Sequence, residues 1–137
     1  MPFIFPYQYG FVDNRKIPYP IVIAQLDTIR GKRSYSFIMD TGADNLTLPK
    51  FMIELLGVEK KTLRLSKSQG IGKKLIKTWE GSISITFCRK RFSILCSFTD
   101  NDKTPFLLGK EGIFDNFNII FNNNKEVTIF EERKHTK

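Results

Sequence analysis

The stretch Asp40-Thr41-Gly42-Ala43 puts a carboxylate where it can do chemistry. Upstream, Tyr35, Phe37 and Met39 alternate with Ser34, Ser36 and Ile38, the pattern of a half-buried strand running straight into Asp40. Downstream, Asp44-Asn45-Leu46-Thr47-Leu48-Pro49 reads as an irregular polar stretch. A carboxylate at the end of a buried strand is poorly placed for packing and well placed for a site. The glycine that follows lets the backbone turn and come close to whatever the carboxylate faces. A bare Asp-Thr-Gly is a common tripeptide, so its meaning depends on the rest of the chain.

Two other features supply that context. Phe106-Leu107-Leu108-Gly109 is an apolar run stopped by glycine, and Gln69-Gly70-Ile71-Gly72 lies between two strand-like segments. The order is apolar strand, Asp-Thr-Gly-Ala, Gly-Ile-Gly turn, then Leu-Leu-Gly with a short helical stretch. In this order and spacing the chain resembles the retropepsin-like aspartic proteases, the retroviral enzymes and their single-domain cellular relatives, over roughly residues 19 to 122. The resemblance implies an all-β, closed, barrel-like fold with one short helix, and hydrolysis of peptide bonds. It implies no metal and no organic cofactor, because the nucleophile is water.

The number of aspartates then matters. This chemistry needs two carboxylates sharing one proton, because like charges about 3 Å apart cannot both ionise. One acts as general base on water while the other, protonated, polarises the scissile carbonyl. The chain carries one Asp-Thr-Gly; Asp27-Thr28-Ile29 lacks the glycine. The resemblance therefore implies a symmetric homodimer, with one Asp40 per subunit meeting at a two-fold axis. It also implies that Thr41 braces the two active-site loops across the dimer. Gly42 brings backbone toward the substrate, and Asp44 contacts substrate main chain. Gly70, Ile71 and Gly72 form the tip of a flap that closes over bound peptide. Leu107, Leu108 and Gly109 thread behind Asp40 and support its loop.

The chain departs from the family at three places. Retroviral members usually carry arginine after the last glycine; here it is Lys110, which offers Asp44 a point charge and no bidentate fork. Lys73-Lys74 stand beside the flap tip where viral relatives have glycine and an aromatic. The hairpin after Asn116 is longer than a simple interface strand, so dimer contacts transfer least.

The elements that must position these residues read mostly as short strands. Residues 3 to 9 suggest an edge strand or an arm, with prolines blocking a central position. Pro20 to Leu26 and Arg33 to Met39 pair across a turn at Gly31, and Pro49 to Leu56 suggests a turn or two of helix. Strands follow at Leu63–Leu65, Leu75–Trp79, Ile83–Phe87 and Phe92–Phe98, the last two joined through Arg89-Lys90-Arg91. Lys110 to Asn116 reads as a short helix, and Phe117–Phe121 with Val127–Phe130 as a closing hairpin. No internal repeat or linker interrupts the chain, which reads as one domain over 1–137 with its core at about 19–130.

Composition agrees. A chain of 137 residues suits one modest core, and 13 Phe with many β-branched residues favour strands. No stretch approaches the roughly 18 apolar residues of a membrane span. The proline-broken start, Met1-Pro2-Phe3-Ile4-Phe5-Pro6, lacks a basic n-region and makes a poor signal peptide. Met1 suggests a free-standing product. Two cysteines are too few for a disulfide framework, no Cys/His spacing suits zinc, and Cys96 falls in phase with Phe92, Ile94 and Phe98 as a buried thiol. A reducing, cytoplasmic location is the expectation. Trp79 reads as a packed strand aromatic, and His135 sits in the charged tail.

The rival from another class is a retropepsin-fold binding or assembly module without efficient turnover. Lys60, Lys61, Arg64, Lys67, Lys73, Lys74 and Lys77 crowd the expected flap in a chain of net charge +8, and such charge attracts acidic partners or nucleic acid. No zinc-finger, RNA-recognition or helix-turn-helix signature accompanies them, which disfavours nucleic acid as the main partner.

Overall fold

Alternating side chains dictate the architecture. In the computed structural model, which describes residues 1–69 and 75–134, strands β4 (Ile21–Thr28) and β5 (Gly31–Met39) form the first long hairpin. Val22, Ala24 and Leu26 of β4 and Phe37 and Met39 of β5 point inward with period two. Strand β8 (Leu75–Phe87) buries Ile83, Ile85 and Phe87, and β9 (Lys90–Thr99) buries Ile94, Cys96 and Phe98. The turn between β8 and β9 has φ of 50° at Cys88 and 64° at Arg89, the primed geometry whose twist matches paired strands.

The main sheet runs β4-β5-β10-β6-β9-β8-β7, where β6 is Leu46–Pro49, β7 Arg64–Gln69 and β10 Leu107–Leu108. A further pairing, Gln25↔Thr86 and Leu26↔Ile85, joins β4 back to β8 and closes the sheet into a ring. Closure removes the free edges that a six-strand open sheet would expose. Strand β7 hangs outside the ring on β8, with registers from Arg64↔Glu80 to Gln69↔Leu75.

Beneath the ring lies a three-stranded sheet, β1-β12-β11, built from Phe3–Pro6, Val127–Glu132 and Phe117–Asn122. Phenylalanines join it to the barrel. Phe87 lies 5.0 Å from Phe130 and 5.6 Å from Phe117 in edge-to-face pairs and stacks on Phe5 at 5.7 Å, centroid to centroid. Each such pair adds about 0.5–1.5 kcal/mol beyond the area it buries.

Several elements differ from the sequence reading. Asp44 to Pro49 is not irregular throughout: Leu46 and Leu48 are buried, and β6 runs parallel to β9 from Leu46↔Cys96 to Pro49↔Thr99. Pro49 therefore ends a strand, and the helix is a single turn, α1 (Met52–Leu55). Leu75 to Phe87 is one strand where two were expected. Lys110 to Asn116 is a turn closed by a 3-10 segment at Phe114–Asn116, since Gly112 adopts φ of 81° and interrupts a helix. The N-terminal region holds a hairpin that the sequence reading passed over, β2 (Gln8–Val12) and β3 (Arg15–Tyr19). Its turn residues Asp13 and Asn14 have φ of 49° and 62°, a left-handed pair that Asp and Asn tolerate well.

Candidate functional site

Strand β5 delivers Asp40 to the rim of the barrel. Met39 is the last inward residue, and its N–H donates to the Pro20 carbonyl at 2.9 Å. Strand β10 inserts between β5 and β6, parallel to the first (Leu107↔Ile38, Leu108↔Met39) and antiparallel to the second (Leu107↔Thr47). The Ile38 N–H donates to Phe106 O at 2.9 Å and the Asp40 N–H to Leu108 O at 3.0 Å, so the backbone of Asp40 is gripped from behind. Leu108 is fully buried and anchors that support in the core.

The loop itself is short and tied at both ends. The Ala43 N–H donates to Asp40 O at 3.1 Å, and the Gly42 N–H donates to Asp40 Oδ1 at 2.9 Å. The second bond turns the carboxylate over its own loop. Asp40 is half-buried, while Thr41, Gly42 and Asp44 are exposed and Ala43 is partly covered. Gly42 does not have a positive φ; a Cβ there would come within 3.2 Å of Asp40 Oδ1, so closeness to the carboxylate is what favours glycine.

Gly109 is the tightest point. A Cβ on it would lie 2.4 Å from Asn45 O and 2.8 Å from Ala43 O, both backbone atoms that cannot swing away. That approach lets the Lys110 N–H donate to Ala43 O at 3.0 Å and the Glu111 N–H to Asp44 O at 2.9 Å, zipping the two loops together. The Lys110 ammonium stands 3.7 Å from Asp44 Oδ1 with both side chains exposed, an ion pair in water that contributes little.

The sequence-selected residues Asp40 to Asp44 and Leu107 to Lys110 are thus brought together in one place. Gly70, Ile71 and Gly72 lie outside the described residues; the strands that lead to them, β7 and β8, pair antiparallel up to Gln69↔Leu75. The sequence reading missed three supports. The carbonyls of Pro20 and Phe106 hold β5, and Asn45 Nδ2 donates to Ser97 Oγ at 3.4 Å, tying the loop to β9. The carbonyls carry no residue-type signal, and only the fold reveals them.

Among the described residues no group of three or more His, Cys, Asp and Glu side chains could hold a metal ion, and no helix is long and apolar enough to cross a membrane. Cys88 and Cys96 are free, buried thiols. Burial pushes the Cys88 thiol up to about 12 and the Cys96 thiol well above its ordinary value.

No family model matches the chain, and no curated protein matches it. Among solved structures it is similar to the crystal structure of a retropepsin-like aspartic protease from Rickettsia conorii, with a TM-score of 0.65 and 20% sequence identity over 95% of this chain and 89% of that one. At that identity the likeness speaks to the fold. The closed ring, the inserted β10 and the single helical turn make this an all-β chain of retropepsin-like fold.

Proposed function

We propose that this chain is an aspartic endopeptidase that works as a homodimer, with residues 1–137 acting as one domain. The observation that carries the reading is the Asp40 loop, a carboxylate at the rim of a retropepsin-like barrel, oriented by the Gly42 N–H and locked from behind by β10 and Gly109.

A single carboxylate on an open loop is half a site. Across a two-fold axis, two Asp40 side chains share one proton, since both cannot ionise at such close range. The ionised one takes a proton from water as that water attacks the scissile carbonyl. The protonated one donates to the carbonyl oxygen, and the roles exchange as the amine leaves. Thr41 is exposed on the same loop and would brace the partner loop. Gly42 and Asp44 would contact substrate main chain. Gly70, Ile71 and Gly72 would close over the peptide and exclude bulk water. Two buried thiols and no disulfide suit a reducing, cytoplasmic setting.

Asp40→Asn tests this reading. The substitution keeps side-chain shape but cannot shuttle a proton, so peptide turnover should fall by about 10²–10⁴-fold or more while circular dichroism stays unchanged. Wild-type turnover should follow a bell-shaped pH profile that belongs to the dyad as a pair. Unchanged cleavage by the Asn variant rules out Asp40 as the catalyst.

One observation favours the second reading, a binding module with a basic face. Lys67 and Lys77 stand directly opposite each other on β7 and β8, a like-charge pair that weakens the sheet and that an acidic ligand would relieve. Salt-sensitive capture of an acidic polypeptide by a wild type that cleaves nothing would support it.

A further inference from the structure

The β2–β3 hairpin forms a two-stranded sheet of its own, paired with neither the barrel nor the three-stranded sheet. Isolated two-stranded hairpins are marginal in water, yet this one ends in apolar residues: Phe11 is 74% exposed and Val12 45%. Its base, by contrast, is tied down. Tyr7 donates its hydroxyl to Asn123 Oδ1 at 2.8 Å, Tyr9 donates to Glu126 Oε1, and the Tyr7 N–H donates to Glu126 O at 2.9 Å. The ring of Tyr19 lies across Gly10, where a Cβ would meet it at 2.6 Å, and Lys16 covers Tyr9 at 4.3 Å from the ring centre. The hairpin is stiffened and fastened at its base while its tip stands free.

Beside that base lies an apolar crevice of about 180 Å³ lined by Tyr7, Pro18, Pro20, Phe121 and Asn123. Phe121 is 49% exposed. An apolar space of roughly 150 Å³ accepts a benzene ring, so this crevice suits a phenyl group. It also adjoins the site, because Pro20 holds the N–H of Met39, the residue before Asp40.

We propose that the β2–β3 hairpin is an arm that clasps a second copy of this chain, with Phe11 of each protomer entering the Tyr7–Pro18–Pro20–Phe121 crevice of the other. This rests on the two-chain reading of Asp40, which makes the site incomplete in one protomer and would put the axis at Asp40, next to the Met39 whose N–H Pro20 accepts. The contact is isologous: one arm and one crevice per protomer satisfy each other about a two-fold axis. From Pro20 to Lys16, the residue opposite Phe11, the arm extends four residues, about 13 Å at strand rise. Two arms starting near the axis and running antiparallel can therefore each reach the other's base. Two five-residue strands with their turn, together with the crevice walls, would supply part of the roughly 20–30 residues a side of a standard interface, and the Asp40 loop would add to them.

Sedimentation equilibrium of the full chain, wild type against Phe11→Asp and Phe121→Ala, tests the arm. Phe11 is exposed, so its variant should keep the wild-type circular dichroism; the dimer dissociation constant should rise at least 100-fold for Phe11→Asp and about tenfold for Phe121→Ala. A second measurement mixes separately tagged Phe11→Cys and Phe121→Cys chains, whose native cysteines are buried; oxidation should give the mixed-tag disulfide as the main covalent dimer. A dimer unaffected by both variants, or absence of the mixed-tag product, overturns the arm even if the protein proves to be a protease. A wild type that stays monomeric at every concentration overturns it as well. Weaker peptide binding by Phe11→Asp with dimerisation unchanged also overturns it and assigns the tip to substrate. An arm-dependent dimer with no peptidase activity keeps the arm and removes the protease.

Discussion

Gly109 shows how much of the candidate site rests on one missing atom. Its Cα hydrogen faces the carbonyls of Asn45 and Ala43, and a methyl there would collide with both at 2.4 and 2.8 Å. Gly109→Ala should therefore cost about 1–3 kcal/mol, the usual penalty for overpacking, and push the Asp40 loop off its support. Gly42→Ala meets only Asp40 Oδ1 at 3.2 Å, a side-chain atom that can give way. It should be milder in stability and still impair turnover, because the carboxylate must move. Urea midpoints of the two variants check the ranking; a larger loss for Gly42→Ala would contradict it.

Among the elements, the N-terminal latch offers a readable titration. The hydrogen bond from Tyr9 to Glu126, more than its partial burial, holds the phenol up from its ordinary value near 10 to about 12. The folded state thus keeps a proton that the released arm would lose sooner. The latch is therefore intact below about pH 10 and is lost as pH rises toward about 12. Phenolate absorbance should show a late-titrating component that Tyr9→Phe removes, and amide exchange in residues 8–19 should quicken in the same window. A Tyr9 that titrates with free tyrosine would mean that the hairpin base is not latched. Most strands were legible because burial alternates along them, as in Val22-Ile23-Ala24-Gln25-Leu26, with inward residues at every second position. The β2–β3 hairpin was not. Pro18 within it and Pro6 and Pro20 at its flanks blur the strand pattern, although the Asp13-Asn14 pair between two β-prone runs was the available signal.

The whole molecule carries +8 at neutral pH, so two copies repel over a Debye length before any apolar contact forms. If the catalytic unit is the dimer, specific activity should fall on dilution. Moderate salt should partly restore it by screening the repulsion. Activity measured over a dilution series at two salt concentrations checks this. Specific activity that stays constant down to concentrations where sedimentation finds only monomer would dispose of the two-chain site.

The sequence by itself determined the chemistry available to this chain: one strand-end aspartate with glycine two residues on, an apolar run ending in Gly109, and an excess of lysine. It also determined the strand class, because side-chain alternation is a local property that needs no partner. Only the tertiary structure decided which strands meet. That the two residues of β10 enter between β5 and β6, that β6 is a strand at all, and that β4 closes on β8 depend on pairings across long stretches of chain. A backbone carbonyl such as that of Pro20 or Phe106 looks the same in every sequence. Its role in holding Asp40 exists only once the barrel has closed around it.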